Sequence, residues 1–338
     1  IRIENMTAEN KTPGSLMAAE TAQCLKVFAK SATQSVPGSI ETPNAIYTIA
    51  RGSSDAAANI LSYEFMRELG VPMTSLPPSV FSIGEGVAMT GAAALVISQS
   101  GASHDLVLSA KGAAKAGARV LALTNQAESA VESVADLTLP IGAGPELAVP
   151  ATKSVVGSVA AGMALLGQMK PSYRAKAQHA ADAVGQMSVH HPQAPALQAA
   201  LLRARHVYVI GRDTGYGAAH EVALKLKECC AIHAEAYSSS EVLHGPLQLA
   251  TNPLMVLMLD TGLADIQDSL DQAEARFRSA DCDVHRVRLS DLGSHDMTPA
   301  AAAAVLLVVM YPIILNTALA LGLDPDAPET LSKVTKTT

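Results

Sequence analysis

Part of this chain is written twice. Ala45-Ile46-Tyr47-Thr48-Ile49-Ala50-Arg51 lies over His206-Val207-Tyr208-Val209-Ile210-Gly211-Arg212 at an offset of 161 residues. The same offset puts Ala57-Ala58 on Ala218-Ala219 and Gly101 on Gly262, without a gap. Chance does not hold one offset over such a span, so the chain reads as two copies of one unit. We place them at residues 20–170 and 195–330. A linker, 171–194, joins them near Pro192 and Pro195, a flexible arm (1–19) precedes them, and a short tail (331–338) follows.

The first copy shows what the unit is. Ala45–Ala50, Val71–Leu76, Leu95–Ser98, Arg119–Thr124 and Asp136–Ile141 are short apolar runs of strand length. Helical stretches alternate with them. One runs to Leu69 and is closed by Gly70; another, carrying Leu106, Val107, Ala110, Ala113 and Ala114, is closed by Gly117. Residues 15–35 read as one further helix. Strands alternating with helices predict an α/β fold with a parallel sheet covered on both faces. Ala300 to Leu323 contains no charged residue, which raises the question of a membrane span. Pro312 and Asn316 interrupt it and no basic cluster flanks it. We therefore expect a short buried strand followed by a buried or subunit-facing helix, and no membrane.

Composition narrows the partners. Aromatics are 3% of residues, Trp is absent and the net charge is −7. Neither base stacking nor a phosphate-tracking basic face is available, so nucleic acid is excluded. Cys24, Cys229, Cys230 and Cys282 form no CxxC pair, and no His cluster has metal-ligand spacing. This points to a reducing, cytoplasmic compartment with no structural metal. No basic-then-apolar leader opens the sequence.

Two stretches carry candidate chemistry. In Leu95-Val96-Ile97-Ser98-Gln99-Ser100-Gly101-Ala102-Ser103-His104-Asp105 a strand turns abruptly polar and a helix follows. Free backbone N–H groups at such a helix start form an anion pocket; an ordinary strand-to-helix loop with a capping serine has the same outline. The second copy carries Leu259-Asp260-Thr261-Gly262 there instead, which implies one ligand site per chain. The other stretch is His220 to Glu228. Glu221, Lys225 and Glu228 share one helix face, Val222, Leu226 and Cys229 another. Charged spacing of this kind most commonly marks a solvated, ion-paired face; alternatively it sets a carboxylate beside an ammonium, able to move a proton between adjacent carbons. His244, before Gly245-Pro246, is a loop acid/base candidate. Lys333, between Leu331 and Val334, could attack a carbonyl if held in a dry site.

The segments Arg51-Gly52-Ser53-Ser54, Ile97 to Gly101, Ala151-Thr152-Lys153, Ala223 to Glu228, Ile232 to Tyr237, Glu241 to Pro246 and Leu331-Ser332-Lys333 occur in this order. The set resembles the tandem sugar-isomerase (SIS) family, in particular the isomerase core of glucosamine-6-phosphate synthase. It is more similar still to the stand-alone bacterial amino-sugar-phosphate deaminase/isomerases. The likeness covers nearly all of the chain from about residue 20. It implies two flavodoxin-like three-layer α/β/α units. It also implies Ser98, Gln99, Ser100 and Ser103 as holders of a sugar phosphate, with Gly52, Ser53 and Ser54 nearby. Val149 and Ala151 would line the sugar through their backbone. Glu228 would shuttle a proton between C1 and C2, with Lys225 beside it. His244, reaching in from the neighbouring subunit of a homodimer, would open the ring. Lys333 would approach the carbonyl end from a tail that closes the site. No cofactor is implied.

This chain departs from the synthase at Arg51-Gly52-Ser53-Ser54 (Cys-Gly-Thr-Ser there), Ala102 (Glu), Ala151 (Ser) and Ser332 (Ala). No glutaminase with its N-terminal nucleophilic Cys precedes the core, so the resemblance implies deamination. Glucosamine 6-phosphate would go to fructose 6-phosphate and ammonia. The other readings are plain phosphosugar isomerisation, a glutaminase-less relative of the aminotransferase, and a phosphosugar-binding sensor.

Overall fold

The computed structural model describes residues 12–293 and 296–333. The first copy is built of helices α1 (Ser15–Thr21) and α2 (Cys24–Ala32), then β1 (Ile46–Ile49), α3 (Ser53–Leu69), β2 (Met73–Ser75), α4 (Ser79–Ser82) and β3 (Ala93–Ser98). It continues with α5 (His104–Lys115), β4 (Arg119–Thr124), β5 (Leu137–Pro140) and α6 (Lys153–Met169). Two helices, α7 (Pro171–Gly185) and α8 (Ala194–Arg203), lead to the second copy. That copy comprises β6 (His206–Gly211), α9 (Thr214–Cys230), β7 (His233–Ser238), β8 (Met255–Asp260), α10 (Gln267–Arg278), β9 (Asp283–Arg288) and α11 (Pro299–Ala320).

Both sheets are parallel throughout, in the orders β2-β1-β3-β4-β5 and β7-β6-β8-β9. The first is the flavodoxin order and the second repeats it with four strands. Alternation along the buried strands feeds two cores at once. From β3, Leu95 and Ile97 face a large central core while Ala94 and Val96 face an outer one under α4 and α5. From β8, Met255, Leu257 and Leu259 join the same central core, and Val256 and Met258 face the outer core under α10. The central core is therefore common to both copies. It holds α2, α3, α6, α7, α9 and α11 between the two sheets.

Three expectations are corrected. Residues 15–35 are two helices, not one, because the chain breaks at Ala22-Gln23. The run from Ala300 contains no strand: Thr298 caps a single 22-residue helix through Ala301 N, with Pro299 in its first turn and Pro312 inside it. It is long and apolar enough to cross a bilayer by composition, yet 83% of its most apolar window is buried inside this protein. The third concerns the offset. Val207 pairs with Met255 where Ile46 pairs with Ala93, so one extra residue enters the second copy before β8. Spatially, Ser98 corresponds to Asp260 rather than to Leu259, the two being the last residues of β3 and β8.

Candidate active site

In an open parallel sheet the ligand crevice lies at the carboxyl ends of the strands where the order reverses. In the first copy that point falls between β1 and β3, where the Gly52–Ser54 and Ser98–Ser103 turns emerge side by side. Gly52 takes φ 53°, ψ −128° to start α3, a conformation glycine adopts without steric cost. Gly101 has φ 59°, and a Cβ there would stand 2.3 Å from Ser129 Oγ, so only glycine closes this turn. Ser98 Oγ accepts from Gly101 N (3.0 Å) and Ser100 Oγ from Ala102 N (3.3 Å). A hydroxyl that accepts from the backbone keeps its own proton to donate. Ser103 is the N-cap residue of α5, but its side chain makes no capping bond. The helix start is thus left open to an anion.

The second copy supplies the opposite wall. Helix α9 packs against α3, and Lys225 Nζ donates to Ser53 Oγ at 2.9 Å, bridging the copies. The same ammonium contacts Glu228 Oε2 at 2.5 Å and Glu221 Oε1 at 3.5 Å. Lys225 and Glu221 have no exposed side-chain surface, whereas Glu228 keeps 27%. The solvated-face reading of this helix is thereby overturned for Glu221 and Lys225. Burial pushes Glu221 up to about 7, although the Lys225 ammonium pulls the other way. Burial alone would lower Lys225, but the two carboxylates outweigh it and hold the ammonium well above its usual range. Tyr311, from α11, donates to Glu221 Oε1 at 3.3 Å. The arrangement is a fixed positive charge with a partly accessible carboxylate, at the mouth of a hydroxyl-lined turn.

The loop from Ile141 to Thr152 closes a third side. Two buried carboxylates shape it. Glu20 accepts from Leu147 N and Ala148 N. Glu146 accepts from Thr152 N (3.0 Å), Ser154 N (3.0 Å) and Ser154 Oγ (2.5 Å). Val149 N in turn donates to Asp326 O at 3.3 Å. Lys333 reaches this loop, donating to Ala148 O at 2.6 Å and standing 3.6 Å from Glu146 Oε2. Val149, Ala151 and Lys333 thus share one loop neighbourhood. His244 does not join the others within the chain: it is exposed, after the short turn Glu241–Leu243, and makes no hydrogen bond or ion pair with Lys225 or Glu228.

Sequence reasoning missed Glu20, Glu146 and Tyr311. Each is an isolated residue in an unremarkable context, and only its partners, more than a hundred positions away or on a neighbouring helix, give it a role. A cavity of about 660 Å³ lined by His206, His233, Met255 and Asp283 lies at the opposite, amino-terminal end of the second sheet. It contains none of these residues.

The turn after β8 is built differently from the one after β3. Asp260 Oδ1 accepts from Gly262 N and Gln267 Nε2, both at 2.9 Å, and Oδ2 from Arg286 Nε at 3.0 Å. A carboxylate thus stands where the first copy has the Ser98 hydroxyl, and it ties the turn to α10 and β9.

Residues 39–167 and 200–277 match the SIS domain family profile. The chain is 32% identical over 316 residues to the isomerizing glutamine–fructose-6-phosphate aminotransferase of Symbiobacterium thermophilum, and 28% over 309 residues to that of Sulfurisphaera tokodaii. These matches take in 84% and 87% of the chain but 50% of each relative, so the chain spans about half the length of the curated relatives it matches. A candidate phosphosugar isomerase from Silicibacter pomeroyi DSS-3 superposes with TM-score 0.79 at 29% identity, covering 92% of this chain and 99% of that one. A glucosamine-6-phosphate deaminase from Thermotoga maritima shares the fold, with TM-score 0.74 at 19% identity over 96% of this chain and 100% of that one.

Proposed function

The chain belongs to the SIS domain family, and we propose that it is a deaminating aldose–ketose isomerase of glucosamine 6-phosphate. Ser98, Gln99, Ser100 and Ser103, with Gly52, Ser53 and Ser54, hold the phosphoryl group at the open start of α5. The backbone at Val149 and Ala151 lines the sugar. In the opened substrate Glu228 removes the C2 proton, and the same carboxylic acid returns a proton to C1. The C1 aldehyde becomes a hydroxymethyl group and C2 an imine, the amine giving up the one proton that the carbonyl oxygen gains. Water adds to C2, and ammonia leaves with fructose 6-phosphate, so that one water is consumed for each ammonia released. Lys225 steadies the Glu228 carboxylate, and Lys333 approaches the carbonyl end. His244 of a second copy opens the ring, which makes the working unit a homodimer.

The observation that carries this reading is the placement of Lys225 Nζ, in contact with Ser53 on the phosphate side and with Glu228 on the other. One ammonium links a carboxylate to the hydroxyl-bearing turn, which supports a base and an anion site acting on one phosphosugar. The aminotransferase names of the curated relatives support nitrogen chemistry.

The test is a panel of hexose and hexosamine 6-phosphates assayed for ammonia and for ketose phosphate. Glucosamine 6-phosphate should yield both in equal amounts. Glu228→Gln should lower that turnover at least about a hundredfold, the usual scale of a lost general base. Turnover of hexose phosphates with no ammonia from any hexosamine would mean plain isomerisation. Full activity in the glutamine variant would remove Glu228 from the mechanism.

A further inference from the structure

We propose that Arg51 is a direct ligand of the phosphoryl group, a guanidinium that grips the anion from the β1 side of the cradle and selects for phosphate esters. The inference rests on the phosphosugar reading of this crevice and adds to it a residue that the serine turn does not contain.

Ile49 pairs with Val96, so Arg51, two residues on, emerges level with Ser98. It stands between the starts of α3 and α5. Both helix starts carry partial positive charge, and a cation placed there has the unfavourable sign. One anion is built in to offset it: Asp105, in the first turn of α5 and 1% exposed, is ion-paired with Arg51 Nε. That contact uses the inner nitrogen and orients the planar group. Nη1 and Nη2 have no partner among the described residues, and the side chain remains 48% exposed. An arginine held by its Nε, with both outer nitrogens free, presents the fork that matches two phosphate oxygens.

The second copy supplies an internal comparison. Arg212 occupies the matching position, 161 residues on. There Nη1 is already engaged, with Ser238 Oγ at 2.8 Å and Ser240 Oγ at 2.5 Å. In the second copy protein hydroxyls already take one outer nitrogen of the arginine; in the first, both outer nitrogens are without a partner among the described residues.

Calorimetric titration of inorganic phosphate and of fructose 6-phosphate tests this on the full chain, with Arg51→Met, Arg51→Gln and Arg51→Lys. The two neutral variants should bind both ligands at least about tenfold more weakly, the scale of one charge-assisted contact. In turnover assays they should raise KM while kcat stays within about threefold. The lysine variant, which keeps the charge without the fork, should recover part of the loss. Arg51→Gln keeps a donor for Asp105 and serves should Arg51→Met not fold. Neutral variants that bind both ligands within about twofold of wild type overturn the role of Arg51. So does a fall in kcat and thermal midpoint together that lysine does not restore, which marks a purely structural arginine. If the wild type binds neither ligand, the phosphosugar reading falls and this inference with it.

Discussion

Lys225 has no exposed side-chain surface and lies between two carboxylates, Glu221 behind it and Glu228 in front. The pair behind gives a stability signature. Burial raises Glu221 from 4.5 to about 7, so the folded protein holds that proton more tightly than the unfolded chain. Its contribution is complete below the unfolded value and is lost as pH rises through about 7. Against Glu221→Gln, wild type should therefore lose relative stability between pH 4.5 and pH 8, by up to about 3 kcal/mol. Urea midpoints of the two proteins across that range provide the check. A constant difference would mean that Glu221 stays charged beside Lys225 throughout. Spacing alone could place these three residues on one face. Whether that face met water depended on α3 and α11, which lie elsewhere in the chain.

At the scale of elements, the pair α3 and α9 shows how the two copies differ. Both helices have 17 residues and start at the same point of the repeat, Ser53 and Thr214. The residues of α3 that match Lys225 and Glu228 are Glu64 and Arg67, the same i, i+3 pair with its charges exchanged. Glu64 is tied down on every side. It accepts from Tyr173 (2.7 Å), from Ala300 N at the start of α11 (3.3 Å) and from Arg67 (3.3 Å). Arg67 continues to Asp213 at 2.6 Å. Asp213 adopts φ 56°, ψ −134° where the first copy has Gly52, a conformation costly for a side chain. This end of the helix pair is a clasp, and the other end is an open site. Asp260 ties the end of β8 to Arg286 on β9, so Asp260→Ala should leave Arg286 buried without a principal partner and cost about 3 kcal/mol. KM for the phosphosugar should not change. Denaturant unfolding and steady-state kinetics measure the two effects, and an undiminished midpoint would show that Asp271 and Glu274 suffice for Arg286.

The two copies share one hydrophobic core in spite of the repeat, which predicts a single cooperative unit. The central core draws on both sheets, and α11, at the end of the second copy, packs against α1, α3 and α6 of the first. A fragment ending at residue 190 would expose the apolar faces of α3 and α6 that α9 and α11 cover. It should show no cooperative thermal transition, while the full chain should unfold in one step by both calorimetry and circular dichroism. A fragment with a sharp transition of its own would mean that each copy carries a sufficient core.

Much of this was legible from residue order. Strand and helix periods are local, so the α/β alternation, the repeat and the serine turn after β3 could be read directly. The family likeness rested on short strings such as Ala223 to Glu228 for the same reason. Five features could not be read. The break at Ala22-Gln23 and the continuous helix through Pro312 depend on what packs around them. The one-residue change of register before β8, which sets Asp260 opposite Ser98, depends on strand pairing. The contact of Lys225 with Ser53 joins positions 172 residues apart, and the free face of Arg51 emerges only where β1 meets β3. Local pattern is written in neighbouring residues, whereas burial and charge at a site are set by segments that only packing brings together.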